Sequence, residues 1–158
     1  MRIISCIFLL MCFSCMNVKE YGQKLIRDQT NARYLNSHNE IREFVGAKPL
    51  IWDEDLEKKS RDLIEKHKTN CNVNVFNTDP FSDINVFQSW GSMVSTPREV
   101  VYSWGKRQGD QFKKIVNRRT IAVGCAFSYC KSQNAFSSSN TIHVCYYKKK
   151  SLLDSVLK

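Results

Sequence analysis

The chain has 158 residues, of which 42% are hydrophobic, 25% charged and 11% aromatic, and its formal net charge is +9 at pH 7. This length fits a single domain with its own core, and the composition excludes disorder for most of the chain. Beyond the N-terminus no apolar run reaches about 18 residues, which excludes a membrane-spanning helix in the mature chain.

The first fifteen residues have the pattern of a secretory signal peptide. Arg2 supplies the positive charge, Ile3 to Phe13 is an apolar run too short to span a bilayer, and Ser14 and Cys15 suit a cleavage site. A short buried helix is the alternative reading. We therefore expect a secreted, extracellular protein with a signal peptide at 1–15 and a polar lead-in at 16–30.

Four helices are predicted next. The first has helical spacing of Tyr34, His38, Ile41 and Val45 and ends at Gly46. The second follows the N-cap Asp53.

The third helix opens with Thr96, Pro97 and Glu99, a capping-box pattern with proline at the first helical position. Val100, Val101 and Trp104 of this helix are expected in the core. A short fourth helix is predicted over 111–116.

Strands are predicted at Asn85 to Ser89, Ile121 to Ser128 and Thr141 to Tyr147, which are rich in β-branched and aromatic residues. The polar stretch 131–140 joins the last two as a hairpin loop. This order of elements suits an α+β sandwich with an antiparallel sheet.

Four cysteines remain after the signal peptide, and their even number in an exported chain predicts two disulfides. The hairpin places Cys125 opposite Cys145. Cys125 and Cys130 are roughly 16 Å apart along one strand, which is too far for a bond. The consistent pairing is Cys125–Cys145 and Cys71–Cys130.

Five motifs, in order, resemble the CAP superfamily of cysteine-rich secretory, venom antigen and pathogenesis-related proteins. They are H-N-x-x-R at 38–42, V-G-x-x-P-L-x-W-D at 45–53, a helix ending in Trp104, V-G-C-A at 123–126 and the strand His143 to Tyr147. The resemblance covers 31–148 and implies one domain, a three-layer α-β-α sandwich with a mainly antiparallel sheet, and the same two disulfides. It leaves 149–158 as a basic tail, and Tyr147 stands where a third family bridge would have its cysteine.

The resemblance also implies a cleft in which two histidines and two acids can hold a divalent cation. In this chain those positions carry Val75, Ile84, Arg107 and Gln111. Because an aliphatic side chain cannot ligate a metal and an arginine repels one, we expect no metal and no cofactor.

Catalysis is not expected either. His38 and His67 lie on apolar helix faces, as core histidines do, and His143 neighbours a cysteine expected in a disulfide. The chain has no Gly-rich phosphate loop, G-x-S-x-G or H-E-x-x-H, and no nucleic-acid-binding motif.

Binding remains, and three features could provide it. Phe76 and Phe81 lie in a polar stretch where they could contact lipid, whereas Phe87 and Trp90 are expected in the core. Lys113, Lys114, Arg118 and Arg119 favour an acidic partner, although a merely solvated face is the alternative. The third feature is a short amphipathic tail, with Leu152, Leu153, Val156 and Leu157, that could dock on the domain, touch a membrane or fray.

We therefore expect a secreted, non-catalytic binding protein acting on an extracellular protein or acidic glycan, with a sterol or fatty-acid carrier as the alternative.

Overall fold

The structure is a computed structural model that describes residues 3–67, 83–89, 94–106, 109–130 and 140–151, and side chains from residue 18 onward within them except 130 and 140. The helices are α1 (Ile3–Phe44), α2 (Glu54–His67), α3 (Pro97–Lys106) and α4 (Asp110–Val116). The strands are β1 (Ile51–Trp52), β2 (Ile84–Ser89), β3 (Thr120–Cys130) and β4 (Asn140–Lys149).

The four strands form one sheet in the order β1-β3-β4-β2. The β3–β4 and β4–β2 pairings are antiparallel, and only the two-residue β1 runs parallel to its neighbour β3. The predicted α+β fold with a mainly antiparallel sheet is confirmed. Strand β1 was not predicted, because two residues are too short to show an alternating pattern.

The predicted helix ends are confirmed by their hydrogen bonds. At the end of α1, Gly46 has a φ of 69°, and the amide of Ala47 donates to the carbonyl of Arg42 at 2.8 Å. Asp53 Oδ1 accepts from the amide of Leu56 at 3.1 Å, which caps α2.

The capping box of α3 is also present. The amide of Glu99 donates to Thr96 Oγ1 at 3.3 Å, and the amide of Thr96 donates to the Glu99 carboxylate at 2.7 Å. Val100, Val101 and Trp104 are buried, as predicted.

Helix α1 is longer than the sequence indicated, because it includes all of the expected lead-in 16–30. Between residues 18 and 29 almost every side chain is exposed, including Val18 and Tyr21, at 72% and 71%. This part of the helix contacts too little of the domain to need an apolar stripe, so no periodicity marked it as helical. The expected signal peptide at 1–15 stays a prediction.

Across the described residues, no helix combines the length and apolarity needed to cross a membrane.

The two faces of the sheet pack against different helices. Val123, Cys125, Cys145 and Tyr147 face α1 in one core cluster, together with side chains of α3 and α4. The alternate residues Ile84, Ile142 and Val144 pack with Ile64 of α2 in a second cluster. This alternation is what a strand pair buried on both faces requires.

Gly124 of the V-G-C-A motif lets α2 lie directly on the sheet. A Cβ at this position would stand 2.2 Å from the backbone nitrogen of Glu57 and 2.5 Å from the carbonyl oxygen of Asp53. Ser60 Oγ then donates to the Gly124 carbonyl at 2.8 Å. The glycine is required by a close approach of backbones.

The predicted disulfide Cys125–Cys145 is present between directly opposed residues of β3 and β4. The second predicted pairing, Cys71–Cys130, lies outside the described side chains and stays a prediction.

The H-N-x-x-R motif of α1 anchors this helix to the rest of the domain. Asn39 donates to the Leu50 carbonyl at 3.1 Å and accepts from the Leu50 amide at 2.7 Å. The fully buried Arg42 donates to four backbone carbonyls, at 2.5 to 3.1 Å, and burial lowers the pKa of its guanidinium. These carbonyls belong to Lys48, Ile115, Asn117 and Thr120.

We predict that Arg42→Lys lowers the free energy of unfolding by about 2–3 kcal/mol, because an ammonium cannot reach all four carbonyls and buried acceptors are left unpaired. Urea denaturation measures this. The control is Arg33→Lys at an exposed position of the same helix, expected to change stability by about 0.5 kcal/mol or less. Equal effects of the two substitutions would contradict the anchoring role.

Candidate functional site

His38 lies at the centre of a buried hydrogen-bond network. Its Nδ1 donates to the Tyr34 carbonyl at 2.8 Å, which leaves Nε2 to accept from the Tyr147 hydroxyl at 2.9 Å. Asn85 Nδ2 donates to the same hydroxyl at 2.9 Å. Burial lowers the pKa of His38 to about 4, so the imidazole is neutral at physiological pH. The prediction of a hydrogen-bonded core histidine is confirmed.

His143 belongs to the same face of the sheet, a placement that the sequence analysis did not predict. Its Nδ1 accepts from the Tyr34 hydroxyl at 2.6 Å, and its ring stacks on Phe127 with centroids 5.4 Å apart. Burial lowers the pKa of His143 to about 4, an effect that the Ser95 backbone partly opposes. The third histidine, His67, is half-buried at the end of α2 rather than in the core, so that expectation was wrong.

One group of metal-ligating atoms is found within the described parts of the chain. It consists of His38, Cys125 and Cys145, with ligand atoms within 4.8 Å of one another. Because the two sulfurs are bonded to each other and both nitrogens of His38 are hydrogen-bonded, the group offers no free ligand. It is part of the core.

The resemblance implies four metal-ligand positions, and two of them, now Ile84 and Gln111, lie within the described residues. The Ile84 side chain is buried in the α2-side cluster, and its carbonyl accepts from Lys114 Nζ at 2.7 Å. Gln111 on α4 uses its backbone carbonyl to accept from Asn85 Nδ2 at 3.0 Å. Val75 and Arg107 lie outside the described residues, and the absence of a metal stays a prediction. Where the resemblance implies an acidic side chain, the structure therefore has the apolar side chain of Ile84, with the ammonium of Lys114 bonded to its carbonyl.

A cationic surface extends from this point. We define the basic patch as the four predicted residues together with two lysines that the fold adds, namely Lys113, Lys114, Arg118, Arg119, Lys149 and Lys150. Burial lowers the pKa of Lys114, an effect that nearby Lys149 reinforces. The Arg119 guanidinium donates to the Lys150 carbonyl at 3.0 Å, which joins the turn after α4 to the end of β4.

The charge of the patch is partly compensated. Lys113 pairs with Asp110 at 3.1 Å, and Lys149 pairs with Asp83. Between Gln111 and the end of the sheet the sequence has no acid. The two carboxylates therefore come from outside this stretch, Asp110 from the first turn of α4 and Asp83 from the residue before β2. Six cations against two carboxylates still leave it positive.

An apolar groove lies between the C-terminal end of α1 and helices α3 and α4. Its volume is about 430 Å³, and its apolar lining includes Ile41, Phe44, Val45 and Phe112. Phe44 is 92% exposed. The groove was not predicted, because its residues are distant in sequence. The one sequence feature that pointed to it is Phe44, a large apolar side chain on a polar face of α1.

The aromatic residues singled out in the sequence are only partly placed. The expected lipid-contacting residues Phe76 and Phe81, and also Trp90, lie outside the described residues, while Phe87 packs against the core as expected.

Comparison with known proteins supports the resemblance inferred from the motifs. Residues 35–147 match the CAP family, described as the Cysteine-rich secretory protein family. The STS14 protein of Solanum tuberosum is 28% identical over 131 residues, which is 72% of this chain and 58% of that protein. Pathogenesis-related protein 1 of Arabidopsis thaliana is 25% identical over 120 residues, 68% of this chain and 72% of that protein.

A solved structure shares the fold. The crystal structure of MpPR-1i superimposes with a TM-score of 0.54 at 25% identity, over 76% of this chain and 87% of that one.

The two buried histidines predict acid sensitivity. Each has a pKa of about 4 in the folded protein and about 6.5 when unfolded, so below pH 6.5 the unfolded state binds protons that the folded state does not. The free energy of unfolding should be constant above pH 7 with respect to these groups. It should fall as the pH decreases from 6.5 to 4, by up to about 3 kcal/mol for each histidine.

Urea titrations at a series of pH values measure this slope. His143→Gln should be less stable at pH 7 but should lose less stability on acidification than the unsubstituted protein. An unchanged slope would show that His143 is not buried in its neutral form.

Proposed function

The chain belongs to the cysteine-rich secretory protein (CAP) family, and on this basis we propose that it acts outside the cell as a non-catalytic binding protein whose basic patch contacts an acidic protein or glycan. The observation that carries the proposal is the cationic surface around Lys114 and Ile84. The family resemblance implies an acidic residue of a cation-binding cleft at the position of Ile84.

A non-catalytic role is supported by the state of two buried histidines and of the two described disulfide-bonded cysteines. His38 and His143 are neutral, buried and held by tyrosines. Cys125 and Cys145 are joined in a disulfide, which removes them as nucleophiles. A general base must reach the proton that it removes, and neither histidine is open to a substrate.

Binding of an acidic partner is supported by the geometry of the patch. Its members come from α4, the following turn and the end of β4, so the fold concentrates charges that are separated in the sequence. Lys113 and Arg118 are exposed, whereas Lys114 is partly buried and bonded to the Ile84 carbonyl. The exposed cations are therefore available to carboxylates or sulfates, and the association should weaken with salt.

We predict that the double substitution Lys113→Glu, Arg118→Glu lowers the salt concentration needed to elute the protein from heparin. Both side chains are exposed, so the fold should survive, which near-UV circular dichroism can verify. The matched control is Lys59→Glu, Lys66→Glu, two exposed positions of α2 with the same change in net charge. Similar elution of both double variants would show that only net charge matters and would contradict the proposal.

The groove between α1, α3 and α4 supports a second candidate, a lipid carrier. Its lining residues Ile41, Phe44, Val45 and Phe112 form a concave apolar surface, and its volume of about 430 Å³ lies in the range of small-molecule sites. A sterol or a fatty acyl chain matches this lining.

For this candidate we predict that Phe44→Ser weakens uptake of a fluorescent sterol or fatty acid about tenfold, because a contact of roughly 1.5 kcal/mol is lost. Folding should be unaffected, since Phe44 is 92% exposed. Tyr129→Ser, at an exposed position of β3, is the control. Unchanged uptake by the Phe44 variant would remove the groove as a lipid site, and a loss of uptake only with Phe76→Ala and Phe81→Ala would transfer that role to their loop.

A further inference from the structure

Among the described residues that line the apolar groove, the one charge without a partner is positive. Glu40 accepts from the Tyr102 hydroxyl, and the Arg98 guanidinium lies 3.6 Å from the same carboxylate. Lys106, which is exposed at the end of α3, has no ion-pair or hydrogen-bond partner for its side chain in the described parts of the chain. The groove therefore favours an occupant that carries an anionic group.

Two phenylalanines from different helices line the groove. Phe44 of α1 is almost fully exposed, and Phe112 of α4 is partly buried. Gly105 of α3 lies between them in the chain and adds no side chain to this space. An apolar side chain from outside can enter the groove and cover Phe44, and such a buried anchor is what contributes most to the stability of an interface.

Helix α4 joins the groove to the basic patch. Phe112 lines the groove, and the next residue, Lys113, is an exposed cation of the patch. The pair between Lys113 and Asp110 is exposed on both sides, so it is weak and a carboxylate from outside can replace it. From Phe112 to Arg118 the chain covers at most about 13 Å, a distance that about four extended residues span.

We propose that the groove and the basic patch act as one surface, which binds a segment of an acidic protein that has a large apolar side chain about two to four residues from a cluster of carboxylates. The proposal rests on the proposed function and names the class of partner for it. The apolar side chain enters the groove beside Phe44, and the carboxylates contact Lys113, Arg118 and Lys106.

The other occupants match only one part of this surface. A sulfated glycan pairs with the cations but has no apolar group to cover Phe44. A sterol or fatty acid fills the groove and leaves the exposed cations of the patch without a partner. A second copy of the chain brings two positive surfaces together, which is unfavourable.

Fluorescence anisotropy with the full chain and three labelled peptides tests the proposal. The first peptide has two leucines, a spacer of two glycines and four glutamates. The second has serines in place of the leucines, and the third has glutamines in place of the glutamates. We expect the first peptide to bind about tenfold more tightly than either of the others, because only this peptide engages both the groove and the patch. Salt should weaken binding of the first two peptides and leave the third unaffected.

Substitutions assign each contribution to its surface. Phe44→Ser should weaken binding of the leucine peptide about tenfold and leave the serine peptide unchanged. The double substitution Lys113→Glu, Arg118→Glu should weaken binding of both glutamate peptides. The controls are Tyr129→Ser and the α2 double variant of the heparin experiment, which should bind all three peptides like the unsubstituted protein. Near-UV circular dichroism verifies that each variant is folded.

Equal affinities for the leucine and serine peptides would overturn the proposal, and so would equal losses of both with Phe44→Ser. If heparin elution still depends on Lys113 and Arg118 in that case, the patch binds charge alone and the proposed function stands without a protein anchor. Self-association that Phe44→Ser abolishes, or lipid uptake that depends on Phe44 while the leucines make no difference, would assign the groove to a second copy or to lipid and likewise overturn the proposal. Failure of both heparin and the glutamate peptides to bind would remove the proposed function itself.

Discussion

The buried guanidinium of Arg42 is the constraint on which the arrangement of this domain depends. A cation removed from water must have partners, and here these are four backbone carbonyls rather than a carboxylate. The carbonyls come from the segment after α1, from the end of α4 and from the start of β3. One side chain thereby fixes where three parts of the chain meet, and both the basic patch and the groove lie beside this junction.

The H-N-x-x-R motif of the same helix joins elements of the fold. His38 joins α1 to β4 through Tyr147, and Asn39 holds both the amide and the carbonyl of Leu50. Each of these polar side chains is engaged in hydrogen bonds within the fold, so the motif stabilises the domain.

Among the described residues, the basic patch and the groove lie beside this junction and differ in chemistry. The basic patch combines α4, its following turn and the end of β4, and its charge is moderated by Asp83 and Asp110. The groove combines apolar residues of α1 and α4. Because α4 contributes Lys113 and Lys114 to one surface and Phe112 to the other, this short helix links the two.

The sequence by itself determined the family resemblance, the helix ends at Gly46, Asp53 and Thr96, and the bond between Cys125 and Cys145. Caps and turns are set by residues within about four positions of one another, and a hairpin sets its own register, so local patterns suffice. Only the tertiary structure decided that Asp83 lies against the basic patch, that His143 is buried against Tyr34, and that Phe44 and Phe112 line one groove. Those contacts join residues from 66 to 109 positions apart, and no local pattern carries information about such pairs. The helical lead-in was missed for a related reason, since a helix that packs against little shows no periodicity.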